Sequence, residues 1–492
     1  MLILESEGRP MRRSINALLR CVSVAAVVSL VPGAAPANAS PERGPAAAAA
    51  YLNDVAAEQH IPGMAVAVVT LEDTEFEWME GKDGNGRPVG RDSPFLIGSV
   101  AKSMTAALVL QRAEANELQL SDPIGDHLPW LVGTAPTIEE LLTHSSGYST
   151  ADGLAVAERF DNTDGAVRRA AEDLEYSGTR GQYEYSDANY LILGALVEEL
   201  EHRPFGEVLR TDLLEPLDMT DTATTSEAAA DLPAGHRYWW GQPRKYSPGF
   251  DESGTPFGYV VSTLTDLARY VRAQAGDNPD VLSPAMLDRL HTPRVSSGDD
   301  RYGYGWRITA SDEGTLTHHT GATPGYFAHL MLDSDGRAVA VLANAYSEAR
   351  APALAAVAEN VLLTLDGKAP ESATGDPVLS TLPWAIALIA VVGLVMAVMG
   401  RWRPIRRGLR WTLAGSAVAL CGALWLLPDF VGSNWRVMRI WLPDSAYGLS
   451  IAIALWALAA ASLATPRTSV RPRRQTKLAS MASRSRTSSV PN

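Results

Sequence analysis

The chain has 492 residues, 46% of them apolar, enough to bury a large core. Residues 1–39 and 381–492 hold 18 of the 42 Lys and Arg but 4 of the 56 Asp and Glu, which leaves the middle with 24 bases against 52 acids. So acidic a region repels phosphate backbones and excludes a nucleic-acid-binding role. The two cysteines, Cys21 and Cys421, fall in apolar segments outside it, so the middle has neither a disulfide nor thiol chemistry.

Residues 1–39 read as a secretory signal whose true start is Met11, since Glu5 and Glu7 fit a basic leader poorly. MRRSINALLR is the basic part, CVSVAAVVSL the apolar part, and Ala37-Asn38-Ala39 the cleavage site; a retained anchor is the alternative. Residues 40–366 then form one soluble unit. IPGMAVAVV (61–69) reads as a buried strand, followed by a turn at Asp83-Gly84-Asn85-Gly86. The segment FLIGSVAKSMTAALVLQ (95–111) reads as a helix beginning at Ser99. A helix capped at Thr137 opens TIEELLTHSSGY, and 149–184 is polar with few apolar residues. Tyr185-Ser186-Asp187 precedes a strongly apolar helix, and another helix is capped at Ser262 or Thr263. RYGYGWRI, LTHHTGATPGYFAHLMLDSD and AVAVLANA read as successive strands, and 351–367 as the last helix of the unit.

Residues 367–381 are a linker by composition. Three apolar spans follow within 382–464, Leu382–Met399, Trp411–Leu427 and Ala446–Ala464, each long enough to cross a bilayer as a helix. None contains a charged residue or histidine, so the plain reading is an anchor, with the lipid bilayer as a partner. Residues 401–410 carry five arginines and the basic tail, 465–492, carries seven Lys and Arg. The positive-inside rule puts both in the cytoplasm and the soluble unit outside.

Ser99 and Lys102 stand at i,i+3, which on a helix brings both side chains to one face. A serine hydroxyl becomes a nucleophile when a base takes its proton, and a lysine serves as that base only when its ammonium is disfavoured. The bland alternative makes Ser99 an N-cap and Lys102 a solvated residue. His318-His319 suggests a metal pair, but neighbours on a strand face opposite ways and no HExxH accompanies them.

In order and with their flanks, IPGMAVAVV, IGSVAKSMTA, LQLSDPI, IEELLTHSSGY, YSDANYLILGALVEEL, LEPLDMTDT, VVSTLTDLARY, YGYGW and HHTGATPGY through VLANA resemble the serine β-lactamase and penicillin-binding-protein-like family, nearest its class C, D-aminopeptidase and esterase branch. The resemblance implies an α+β fold, an antiparallel sheet flanked by helices with a helical subdomain, here followed by three transmembrane helices. It implies Ser99 as the acylated nucleophile, Lys102 as its proton acceptor and Tyr185 as the proton shuttle. His319-Thr320-Gly321 would line the substrate channel as an edge strand, and the amides of Ser99 and Ala322 would form an oxyanion hole. No metal or organic cofactor is implied.

Two departures matter. His319 stands where β-lactamases carry lysine, which weakens recognition of a substrate carboxylate and speaks against an efficient β-lactamase. Asp187 stands where asparagine is common, and an ionised Asp187 near Lys102 would keep that lysine charged. The leading expectation is a membrane-tethered extracytoplasmic serine hydrolase acting on a small-molecule or short-peptide substrate: an ester, an amide or a D-amino-acid peptide. The alternative is a non-turnover receptor for wall fragments or β-lactams.

Overall fold

A computed structural model describes residues 44–131, 136–311, 314–403 and 405–465. The expected signal segment with Cys21, and the tail from residue 466 on, lie outside the described residues. Eight strands make the main sheet: β1 (Gly63–Val69), β2 (Thr74–Gly81), β3 (Val295–Ser297), β4 (Asp300–Tyr302), β5 (Arg307–Ser311), β6 (Gly314–Thr323), β7 (Tyr326–Leu332) and β8 (Ala338–Ala343). Their spatial order is β2-β1-β8-β7-β6-β5-β4-β3, antiparallel throughout. The first strands of the unit thus pair with the last.

In chain order, the helices that flank the sheet and build the site are α1 (Pro45–Glu58), α2 (Ala101–Glu114), α3 (Ile138–Leu142), α4 (Thr150–Val156), α5 (Asp187–Glu201), α6 (Leu264–Gln274) and α7 (Val357–Leu365). All seven residues of β1 are buried. Because side chains alternate along a strand, Ala65, Ala67 and Val69 join one core with α2, α5 and α6, while Met64, Val66 and Val68 join a second with α1 and α7. A strand covered on both faces reads as a continuous apolar run, as this one does.

The local signals in the sequence hold. Thr137 caps α3 and Thr263 caps α6, each accepting a backbone N–H three residues on. The polar stretch 149–184 is more ordered than its composition suggests: it folds into α4 and the helix Ala166–Glu172. The last helix of the unit is broken in two, Ala351–Ala355 and then α7.

Beyond a linker that ends at residue 376 come α8 (Pro377–Trp402), α9 (Arg407–Trp425), α10 (Trp435–Trp441) and α11 (Pro443–Ala464). Three membrane helices were expected; by length and composition two, α8 and α11, could cross a membrane. The middle span falls short because its helix starts with Arg407 and Arg410 and stops at Trp425, before the last two apolar residues. Arg410 caps the end of α11, donating to the carbonyls of Ser462, Leu463 and Thr465. The α10 segment packs onto the soluble unit: Val437 and Trp441 are buried in its second core.

Candidate active site

Ser99 does not open the helix. It sits in a tight 3-10 turn, Gly98–Val100, ahead of α2, and its side chain makes no capping bond. Gly98 has φ +53, a left-handed conformation that glycine adopts without strain. The turn lifts Ser99 to the mouth of the site while Lys102, one turn into the fold, is fully buried. The Lys102 ammonium nitrogen lies 2.8 Å from Ser99 Oγ, 2.8 Å from the Phe257 carbonyl and 2.7 Å from Asp187 Oδ1. The carbonyl and the carboxylate can only accept from Lys102, and a carboxylate at contact distance favours the charged form of the amine.

Asp187 is the first residue of α5, where a negative charge also complements the helix N-terminus. Ser186 caps that helix and donates to the Ser149 carbonyl at 2.6 Å, while Thr150 donates to the Tyr185 carbonyl at 2.7 Å. These bonds fix the backbone of Tyr185 against α4. Its ring centroid is 5.1 Å from Lys102 Nζ and 5.6 Å from the Arg307 guanidinium carbon. Two cations therefore stand by the phenol, ready to stabilise negative charge developing on it.

His319, Thr320, Gly321 and Ala322 lie on β6, and the expectation of an edge strand is half right. β6 is interior to the sheet, but β5 pairs with it only as far as His318. From His319 onward that side of the strand is free of β5 and the Ser99 turn takes its place. The approach is close: a Cβ on Gly321 would overlap the Ile97 carbonyl oxygen and come within 2.9 Å of the Ser99 amide, and one on Gly98 would overlap the Ala322 amide. Glycine at both positions lets the amides of Ser99 and Ala322 sit side by side.

Behind Tyr185 lies a group that sequence reasoning missed. His144 stacks on Tyr185 with centroids 4.4 Å apart, and Tyr302 bridges His144 and His319. Fixed backbone groups at both ends set the direction of the chain of bonds. Ser186 N–H donates to His144 Nδ1 at 3.2 Å, so His144 Nε2–H donates to Tyr302 at 3.3 Å. His319 Nδ1–H donates to the Thr320 carbonyl at 2.7 Å, so its Nε2 accepts the Tyr302 hydroxyl proton at 3.2 Å. Both imidazoles are thereby neutral. Burial, helped by the charge of Lys102, holds His144 well below the usual histidine range, and burial with the Arg307 charge does the same to His319. His318 faces away, as expected of a strand neighbour, toward Thr309 and His329.

Arg307 sits on β5, buried and bonded to Ser297, and does not line the cleft. It therefore adds no cation to the cleft; of the residues expected to line the channel, Thr320 and Ala322 do so, whereas His319 is fully buried and neither it nor Gly321 is among the lining residues. His144, Tyr302 and Arg307 all lie in segments whose motifs are visible, THSSGY and RYGYGWRI, but nothing in their spacing announces a role.

The cleft itself is lined by Ser99, Tyr185, Asp187, Thr320, Glu158 and Trp441, among others. The last comes from α10. Arg436 on the same helix donates to the carbonyls of Leu154, Ala157 and Glu158, tying α10 to the end of α4. Burial pushes the Glu158 carboxyl up to about 7; Arg436 opposes the shift, and the Asp187 charge reinforces it.

The serine hydroxyl, the buried lysine and the Tyr185 ring thus stand together, with the Ser99 and Ala322 amides at the contact between the turn and β6. The family model described as Beta-lactamase matches residues 48–362. The chain is 30% identical over 312 residues to Penicillin-binding protein 4 of Amycolatopsis lactamdurans, covering 58% of this chain and 82% of that one. It is 27% identical to the Unguisins hydrolase ungD' of Aspergillus campestris, over 58% of this chain and 59% of that one. Among solved structures it is similar to the octameric penicillin-binding protein homologue from Pyrococcus abyssi, with a TM-score of 0.58, 22% identity and coverage of 70% of this chain and 81% of that one. With nearly the whole soluble unit matched and the Ser99–Lys102–Tyr185 cluster at its centre, the chain belongs to the β-lactamase family.

Proposed function

We propose that the protein is a membrane-tethered, extracytoplasmic serine hydrolase that acts through an acyl-enzyme on Ser99, on a small ester, amide or D-amino-acid peptide. One observation carries this reading: Ser99 Oγ lies 2.8 Å from a buried lysine that is itself paired with Asp187. Ser99 Oγ attacks the substrate carbonyl carbon as Tyr185, entering as the phenolate favoured by the neighbouring Lys102 and Arg307 charges, takes its proton. The negative oxygen of the tetrahedral intermediate is held by the Ser99 and Ala322 amides. Tyr185 then returns the proton to the departing alcohol or amine; in the second half it takes one from the water that attacks the acyl carbon and passes it to Ser99 Oγ as the acid is released. Lys102 remains an ammonium throughout. To act as a free amine near neutral pH it would need a depression of roughly 3 units, or about 4 kcal/mol, and a carboxylate at contact distance works against that. The neutral His319 in place of a lysine favours an esterase or peptidase over an efficient β-lactamase, and a relative named as a hydrolase supports turnover over mere binding.

The membrane part of the reading rests on α8 and α11 and on the arginine-rich 401–410. Since α10 packs on the soluble unit, the chain must return across the bilayer between 401–410 and α10, and α9 is the segment available to do so. A membrane-impermeant fluorophosphonate added to intact cells tests topology and nucleophile together. The expected result is a mass adduct on Ser99, absent from Ser99→Ala. Labelling that needs lysis would overturn the orientation, and no labelling even then would overturn the nucleophile.

A further inference from the structure

Glu158 sits at the end of α4 in a left-handed backbone conformation, φ 51, which few glutamates adopt. It is 7% exposed and lines the same cleft as Ser99 and Asp187. Its Oε1 accepts the indole N–H of Trp441 at 3.3 Å, whereas Oε2 is buried with no hydrogen-bond partner among the described residues. Arg436, the cation next to it, bonds to backbone carbonyls and forms no ion pair with this carboxyl among the described residues. A buried carboxyl with one oxygen held and the other unbonded is an acceptor the protein leaves unsatisfied, and a donor brought by a substrate at this wall of the cleft would satisfy it. Aromatic residues line the same cleft, Tyr259, Phe327, Tyr346 and Trp441, a composition that suits a cation. Asp187 and Glu348 bring the carboxyl side chains lining the cleft to three, and the soluble unit is strongly acidic as a whole.

We propose that Glu158, braced by Trp441 of the C-terminal segment, receives an ammonium group of the substrate, so that the substrate class is an ester or amide bearing a primary amine away from the scissile bond. The inference rests on the acyl-transfer reading above and adds a specificity to it. It also makes α10 a wall of the substrate cleft.

The test uses the full chain in detergent and two ester series. One has p-nitrophenyl esters of ω-aminoalkanoic acids of increasing length, the other acetate esters of ω-aminoalkanols; each is paired with its methyl and hydroxyl isosteres. At the best length in one series, kcat/KM for the ammonium ester should exceed that of the methyl isostere by about tenfold or more, the size expected of a charge-assisted hydrogen bond. Glu158→Gln should erase that ratio, and Trp441→Phe, which keeps the wall but removes the N–H, should reduce it. If Glu158→Gln fails to fold, inhibition of the wild-type chain decides: alkylammonium ions should compete with a neutral ester where alkanols of equal length do not. No ammonium preference at any length, a preference that survives Glu158→Gln, or hydroxyl esters as good as ammonium esters would each overturn the proposal. Absence of turnover and of a Ser99 adduct with every ester would overturn the acyl-transfer reading, and this proposal with it.

Discussion

Lys102 touches a hydroxyl, a carbonyl and a carboxylate, and the carboxylate favours its charged form. In the proposed mechanism Lys102 is an ammonium with no lone pair to offer Ser99, and the task of taking the serine proton passes to Tyr185. Tyr185→Phe should therefore slow acylation by roughly 10²–10⁴-fold, the usual worth of a positioned acid–base group, and Lys102→Ala should cost nearly as much. Asp187→Asn should move the pH optimum instead of abolishing activity: without its counter-charge, Lys102 gives up its proton at lower pH, and the alkaline limb follows. Stopped-flow burst rates across pH check both, and an unmoved profile in Asp187→Asn would refute the coupling. Ser99, Lys102, Tyr185, Asp187 and His319 stood out in the sequence because they lie in motifs whose order carries the family resemblance, and the fold brings Ser99, Lys102, Tyr185 and Asp187 together. Glu158 did not stand out. What buries it is Trp441, 283 residues further along, and no local pattern encodes that contact.

At the scale of elements, the site depends on a strand and a turn that meet backbone to backbone. β5 stops pairing at His318, and the Gly98–Val100 turn fills the gap beside Gly321. Gly321→Ala should destabilise the fold by roughly 1–3 kcal/mol through overpacking and should also abolish Ser99 labelling, because either the turn or the strand must retreat. Thermal melting and the labelling rate measure the two effects; an alanine variant that labels at the wild-type rate would show that the contact is not required. The caps at Thr137 and Thr263 were readable because capping involves only the next three residues. The 3-10 turn was not, since the left-handed Gly98 in front of Ser99 is set by how closely β6 can approach. The membrane spans show the same limit: apolar length marked all three, but α9 begins at Arg407 and ends at Trp425.

Across the whole molecule, burial keeps His144, His291, His318, His319 and His329 below the usual histidine range, His291 at about 4 and His318 at about 3. Unfolding exposes each to water, where it takes up a proton near pH 6.5, so their contribution is undiminished above that pH and is lost as pH falls toward the folded values. His291, which is bonded to Gln274 and edge-on to Trp306, accounts for about 3 kcal/mol of that loss by pH 4. His291→Gln should therefore lose less thermal stability than the wild type between about pH 7 and about pH 4.5. Parallel declines would show that His291 does not titrate in this way. The α10 helix has a practical corollary for anyone preparing the enzyme. Trp441 rests edge-on against Tyr346, 5.9 Å between centroids, and Arg436 pins the loop beyond α4. A fragment cut at the linker would lose α10 together with α8, α9 and α11. It would be missing one side of its own binding groove, would present Phe327 and Tyr346 to solvent, and would favour different substrates from the intact chain.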